Sequence, residues 1–313
     1  MPADAAVPGR PGAPVPDAAQ VVVVGGGVMG AGIAHALLLS GARVHISESA
    51  SAAAEAAVVR VQALLARNGR AAPGSGTATS PTGSAPADCE DRLSAGIGLP
   101  SWGSVAAVFE AVPEVVALKR EIAAASQRRY PEALIATNTS SLSIDQIADA
   151  MGDPGRLVGM HFFNPVPASR LIEIVVGART APLAVQQARS WVESVGKCAI
   201  EVRDSPGFAT SRLGLAIGLE AIRMVEERVA SVTDIDRGMT LGYKLPVGPL
   251  ELTDRVGLDV RLAIADHLSA TLGERFRAPE LLRQMVTDGQ LGRKSGAGFY
   301  RWAADGTKTG SEL

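Results

Sequence analysis

Residues 20–48 read QVVVVGGGVMGAGIAHALLLSGARVHISE. The QVVVV run is short, β-branched and without polar alternation, which predicts a strand covered on both faces. Three glycines end it, GIAHALLLSGA has the length and composition of a helix, and RVHIS reads as a second strand. Strand, helix and strand at this spacing make a βαβ unit with its two strands parallel.

The glycines narrow the reading further. Gly25, Gly27 and Gly30 have G-x-G-x-x-G spacing, with Val28 and Met29 inside the motif, and Glu48 stands at the end of the second strand. Between a strand and a helix, this pattern predicts a dinucleotide-binding, Rossmann-type fold. Gly25 allows the tight turn, Gly27 lets the backbone approach a pyrophosphate, and Gly30 permits close helix-to-strand packing. The N-terminus of the helix offers unpaired N–H groups and a positive dipole end to the phosphates. Glu48 is suited to accept hydrogen bonds from the adenosine ribose and to repel a 2′-phosphate, so the expected cofactor is NAD rather than NADP.

Outward from this unit the alternation continues. Segments 104–111, 133–138 and 156–162 read as strands, with a helix over 114–129, and strands at 171–177 and 197–202 flank a helix at 182–195. The expectation is an α/β doubly wound sheet domain over 20–203. After DSPGF (204–208) apolar residues recur every three or four positions, which predicts an all-helical C-terminal domain over 204–313. Thr233 and Asp236 there have the spacing of a helix N-cap pair. The first 19 residues are rich in Pro, Ala and Gly and lack a secretory h-region, so a disordered tail is expected. Residues 69–92, mostly Gly, Ser, Pro and Ala, are expected to form a flexible surface loop.

Composition excludes other classes. Hydrophobic residues make up 47% of the 313, enough for a sizeable core, and the formal charge of −2 with no dense basic run argues against a nucleic-acid groove. No apolar run approaches the roughly 20 residues that span a bilayer. Two widely separated cysteines, Cys89 and Cys198, fit a reduced, cytoplasmic setting and have no metal-ligand spacing.

FEAVPEVVALKREI, ATNTSSLSI, GMHFFNPVP, LIEIV, SPGF, GPLELTDRVGLD and LGRKSGAGFY follow the glycine loop in that order. In this the chain resembles the L-3-hydroxyacyl-CoA dehydrogenases, including bacterial 3-hydroxybutyryl-CoA dehydrogenases, over nearly all of 20–302. The resemblance implies a two-domain, dimeric enzyme that interconverts 3-hydroxyacyl and 3-ketoacyl thioesters with NAD. It implies a catalytic pair, His161 and Glu173, and places Ser140 at the reacting oxygen of the substrate. It also implies that Asn138, Asn164, Glu114, Lys119 and Lys294 lie near the cofactor. His35, His45 and His267 are expected to be structural.

There are two departures. Ser211 stands where the family has a substrate-holding asparagine, and a hydroxyl reaches less far than an amide and offers one donor instead of two. The 69–92 stretch replaces a helical segment that in the family contacts the coenzyme A nucleotide. The acyl group could therefore arrive on CoA or on an acyl carrier protein. A non-catalytic NAD-binding structural or sensor protein is the reading from another class.

Overall fold

The computed structural model describes residues 18–68 and 89–311. The Pro-rich tail through residue 17 and the segment 69–88 lie outside the described residues. The chain separates into two compact units, residues 1–204 and 205–313.

In the first unit, strand β1 (Gln20–Val24) is flanked by β2 (Arg43–Glu48) and β4 (Ala107–Glu110), both parallel to it. Val21, Val22 and Val23 have no exposure at all, as expected for a central strand covered on both faces. The other strands are β3 (Leu93–Ile97), β5 (Leu134–Thr137), β6 (Leu157–Phe162), β7 (Leu171–Val176) and β8 (Cys198–Arg203). They form one eight-stranded sheet of order β3-β2-β1-β4-β5-β6-β7-β8, parallel except at the β6–β7 pair. Helices α1 (Val28–Leu39), α2 (Ser51–Asn68), α3 (Val116–Arg129), α4 (Ile144–Ala148) and α5 (Pro182–Ser194) connect them.

The glycine loop has the geometry its spacing implies. Gly25 adopts φ +94°, and a Cβ on Gly30 would fall 1.7 Å from the Gly25 carbonyl oxygen. Gly30→Ala therefore forces the loop and α1 apart. We expect it to abolish measurable NADH binding and lower Tm, read by fluorescence titration and thermal melting.

β3 is absent from the sequence expectation, and the reason is visible. LSAGI lies at the sheet edge with none of its residues buried, so it carries no apolar run. The flexible 69–92 expectation is corrected at its C-terminal end. Cys89 is fully buried, and Arg92 Nη1 donates to the carbonyls of Leu38 and Ala42, both at 3.0 Å.

The second unit is helical: α6 (Thr210–Glu226), α7 (Val232–Arg237), α8 (Pro249–Val256), α9 (Leu258–Leu272) and α10 (Glu280–Thr287), closed by a hairpin of β9 (Tyr300–Trp302) and β10 (Lys308–Ser311). Two buried aspartates tie it together. Asp254 accepts from Phe299 N, Tyr300 N and Trp302 Nε1 at 2.8–2.9 Å, and Asp236 accepts from Leu250 N, Glu251 N and the Tyr300 hydroxyl. This corrects the capping expectation. Ser231 caps α7 by accepting from Asp234 N at 3.1 Å, Thr233 lies inside the helix, and Asp236 instead caps α8. No helix among the described residues is long and apolar enough to cross a membrane.

Candidate active site

Strand order reverses at β1, where β2 and β4 leave on opposite sides, and open α/β sheets bind ligands outside the strand ends at such a point. A cleft of about 980 Å³ opens there. Gly25, Gly27, Val28, Met29 and Glu48 line it, with Ala111, Val112, Pro113, Leu118 and Ile122 opposite. A Cβ on Gly27 would meet nothing within 4 Å, so the backbone at the start of α1 is open to an approaching group. Gly27 also precedes α1 with no side-chain cap, and no acidic residue stands in the first turn. These N–H groups and the dipole end suit a pyrophosphate. Glu48 Oε1 accepts from Gly26 N at 2.6 Å, which fixes the carboxylate at the cleft wall.

Next along the sheet, the polar run after β5 is organised by carboxylates. Glu114 Oε1 accepts from the Thr139 hydroxyl at 2.6 Å, from Ser140 N at 2.9 Å and from Ser141 N at 3.1 Å. Behind it, Glu110 at the end of β4 accepts from Val112 N at 2.7 Å and the Thr137 hydroxyl at 2.5 Å. Lys119 joins the two acids: its Nζ donates to Glu110 Oε1 at 2.8 Å and lies 3.4 Å from Glu114 Oε2. Burial works to raise the Glu114 carboxyl, but the Lys119 ammonium and the Thr139, Ser140 and Ser141 donors hold it below its ordinary value.

Lys119 itself has no exposure. The resemblance places it near the cofactor; in the structure its ammonium is enclosed by Glu110, Glu114 and the Val112 carbonyl. Glu110, which the sequence reading did not single out, is the acid that makes a buried lysine tenable.

His161 and Glu173 stand directly opposite in the antiparallel β6–β7 register. His161 Nδ1 and Glu173 Oε2 are 2.7 Å apart, with the histidine 6% exposed and the glutamate 0%. A single cross-strand pair therefore accounts for their separation of twelve residues in sequence. Phe163 packs on the imidazole at a centroid distance of 4.5 Å. Asn138 Oδ1 accepts from Phe162 N at 2.9 Å, which ties the start of the Ser140 loop to the strand end beside His161. The Ser140 hydroxyl is exposed and has no hydrogen-bond partner among the described residues.

Asn164 does not line the large cleft. With Arg60 and Arg67 of α2, Val28 and Pro167, it lines a second groove of about 230 Å³. Ser211, in the first turn of α6, and Lys294, paired with Asp259, belong to the second unit.

Comparison with known proteins matches this architecture twice. The 3-hydroxyacyl-CoA dehydrogenase NAD-binding domain matches residues 20–205, and the C-terminal domain of the same family matches residues 207–302. The chain belongs to the 3-hydroxyacyl-CoA dehydrogenase family. It is 39% identical to a probable 3-hydroxybutyryl-CoA dehydrogenase of Bacillus subtilis, over 90% of this chain and 96% of that one. Among solved structures, Mycobacterium tuberculosis FadB2 superposes with a TM-score of 0.83 at 36% identity, covering 92% of this chain and all of that one. An (S)-3-hydroxybutyryl-CoA dehydrogenase from Ralstonia eutropha gives 0.82 at 33%, covering 91% and 99%. The chain is thus an NAD-dependent oxidoreductase of this family.

Proposed function

We propose that the chain interconverts a short-chain (S)-3-hydroxyacyl-CoA and its 3-ketoacyl-CoA, with His161 as general acid–base and Glu173 as the residue that orients it. The observation that carries this reading is the buried 2.7 Å His161–Glu173 contact on adjacent strands. NAD, when bound, supplies a hydride acceptor for the carbinol carbon.

The protein's part is to handle the proton. Glu173 engages Nδ1, so Nε2 is the ring atom that takes the substrate hydroxyl proton. The carboxylate stabilises the imidazolium that results. In the reductive direction the same imidazolium protonates the alkoxide at Nε2. The Ser140 hydroxyl, on a loop fixed by Glu114, donates to the reacting oxygen. Ser211 and Lys294 are assigned to substrate and cofactor by family resemblance alone.

Glu48 is read as the ribose partner and Gly25, Gly27, Val28 and Met29 as the pyrophosphate wall, supported by their shared cleft. Glu48→Ala is expected to lower the NADH-over-NADPH ratio of kcat/KM by about tenfold, roughly 1.4 kcal/mol. An unchanged ratio removes that role from Glu48.

The groove beside Arg60 and Arg67 favours a CoA ester over a carrier-protein ester. Its apolar wall suits the pantetheine arm that both esters carry, and its two guanidinium groups suit the several phosphates of the CoA nucleotide better than the single phosphate of a carrier-protein arm. The exposed apolar residues Leu213 and Ile217 of α6 and Leu252 and Val256 of α8 support a homodimer formed through the helical unit. Turnover of acetoacetyl-CoA beside acetoacetyl-carrier protein tests the substrate. A preference for the CoA ester supports the reading, and turnover of the carrier-protein ester alone overturns it.

A further inference from the structure

The buried face of α9 is a stripe at helical spacing: Leu258, Arg261, Ala265 and Leu268. Three of these are apolar, and the fourth carries a full charge. Arg261 is 6% exposed, yet its guanidinium has no carboxylate and no hydrogen-bond acceptor among the described residues, and its Nε is sealed from solvent without a partner. Arginine is almost never buried unless paired, because an uncompensated guanidinium loses its hydration and gains nothing in return. Burial accordingly pulls its pKa down to about 10, still far above neutrality, so the charge is present under ordinary conditions.

On α6, a Cβ added at Gly214 would come within 3.6 Å of Arg261 Nη1, so glycine leaves no side chain there against the guanidinium. Gly214 lies one helical turn after Ser211, on the same face of α6. A planar fork of donors with no acceptor, beside a helix that presents no side chain at that point, is arranged for bidentate pairing with an oxyanion.

We propose that Arg261 is the anchor of an oxyanion-binding site in the helical unit, taking a carboxylate or phosphate of a small ligand. That oxyanion has two sources: a free metabolite, or a second acidic group carried by the substrate. The proposal itself does not rest on the reaction assigned above, because binding is measured directly.

The experiment is calorimetry on the full chain with NADH saturating, so that the glycine loop does not compete for the probe. Inorganic phosphate and adipate are the probes, on wild type, Arg261→Met and Arg261→Lys. Methionine fills the stripe without charge and lysine keeps the charge without the fork, so at least one variant is expected to fold. We expect wild type to bind at least one probe and Arg261→Met to bind it at least tenfold more weakly, with Arg261→Lys between them.

A third arm compares kcat/KM for 3-oxoadipyl-CoA, whose acyl chain ends in a carboxylate, with that for acetoacetyl-CoA. A tenfold fall of this ratio in Arg261→Met assigns the oxyanion to the substrate. Loss of probe binding with the ratio unmoved assigns it to a free ligand. Equal probe binding by wild type and Arg261→Met, together with an unmoved ratio, overturns the site.

Discussion

Glu173→Gln is expected to lower kcat by roughly 10²–10⁴-fold while NADH affinity stays within about twofold. Glutamine keeps the shape of the side chain and retains an oxygen that can accept from Nδ1–H. In the proposed mechanism, what it loses is the charge that would stabilise the imidazolium formed when His161 takes the substrate proton. Glu173 has no exposure, so water cannot stand in for that charge. The cleft beside the glycine loop, proposed for the cofactor, lies at the ends of β1 and β4, and Glu173 does not line it. Stopped-flow kinetics and a fluorescence titration of NADH separate the two effects. Parallel loss of turnover and of NADH binding would show that Glu173 holds the fold instead of the proton.

The second large effect is on stability. Lys119→Met leaves the buried carboxylate of Glu110 and the half-buried one of Glu114 without their common cation. Breaking a buried pair by removing one partner costs about 3–5 kcal/mol, which for a unit of this size is a fall in Tm of roughly 10 °C. The Glu110→Gln, Lys119→Met double variant removes both charges and is expected to melt above the Lys119→Met single variant, a coupling that a double-mutant cycle measures. A double variant that melts below both singles would contradict the pairing. Activity should fall as well, because Glu114 holds the backbone of the Ser140 loop through Ser140 N and Ser141 N.

These two predictions draw on parts of the site that differ in how plainly they are written in the sequence. The glycine loop is legible because each glycine is forced by a local collision or turn, and Gly30 against the Gly25 carbonyl is the clearest case. His161 and Glu173 are legible through the resemblance, and the antiparallel register supplies the physical reason for their spacing. Glu110 carries no such signal. A glutamate ending a strand reads as a solvated carboxylate until Lys119, nine residues on, folds back onto it.

Long-range pairing hides other features in the same way. Asp236 looks like a member of its own helix cap, but its acceptors serve the N-terminus of α8 and the Tyr300 hydroxyl. The run from Pro249 to Gly273 reads as one apolar-periodic helix. Gly257, at φ +106°, breaks it into α8 and α9. Edge strand β3 is missed because an unburied strand needs no apolar pattern. Arg261 is missed because sequence periodicity marks its position as buried and says nothing of whether a partner is there.

The measurement that bears most directly on the account is the rate of NADH consumption with acetoacetyl-CoA, wild type beside His161→Ala. Rapid consumption by wild type is expected, with a loss of at least about a thousandfold in the variant and NADH still bound. A His161→Ala rate within a few fold of wild type would contradict it, because the proton would then be handled by another group.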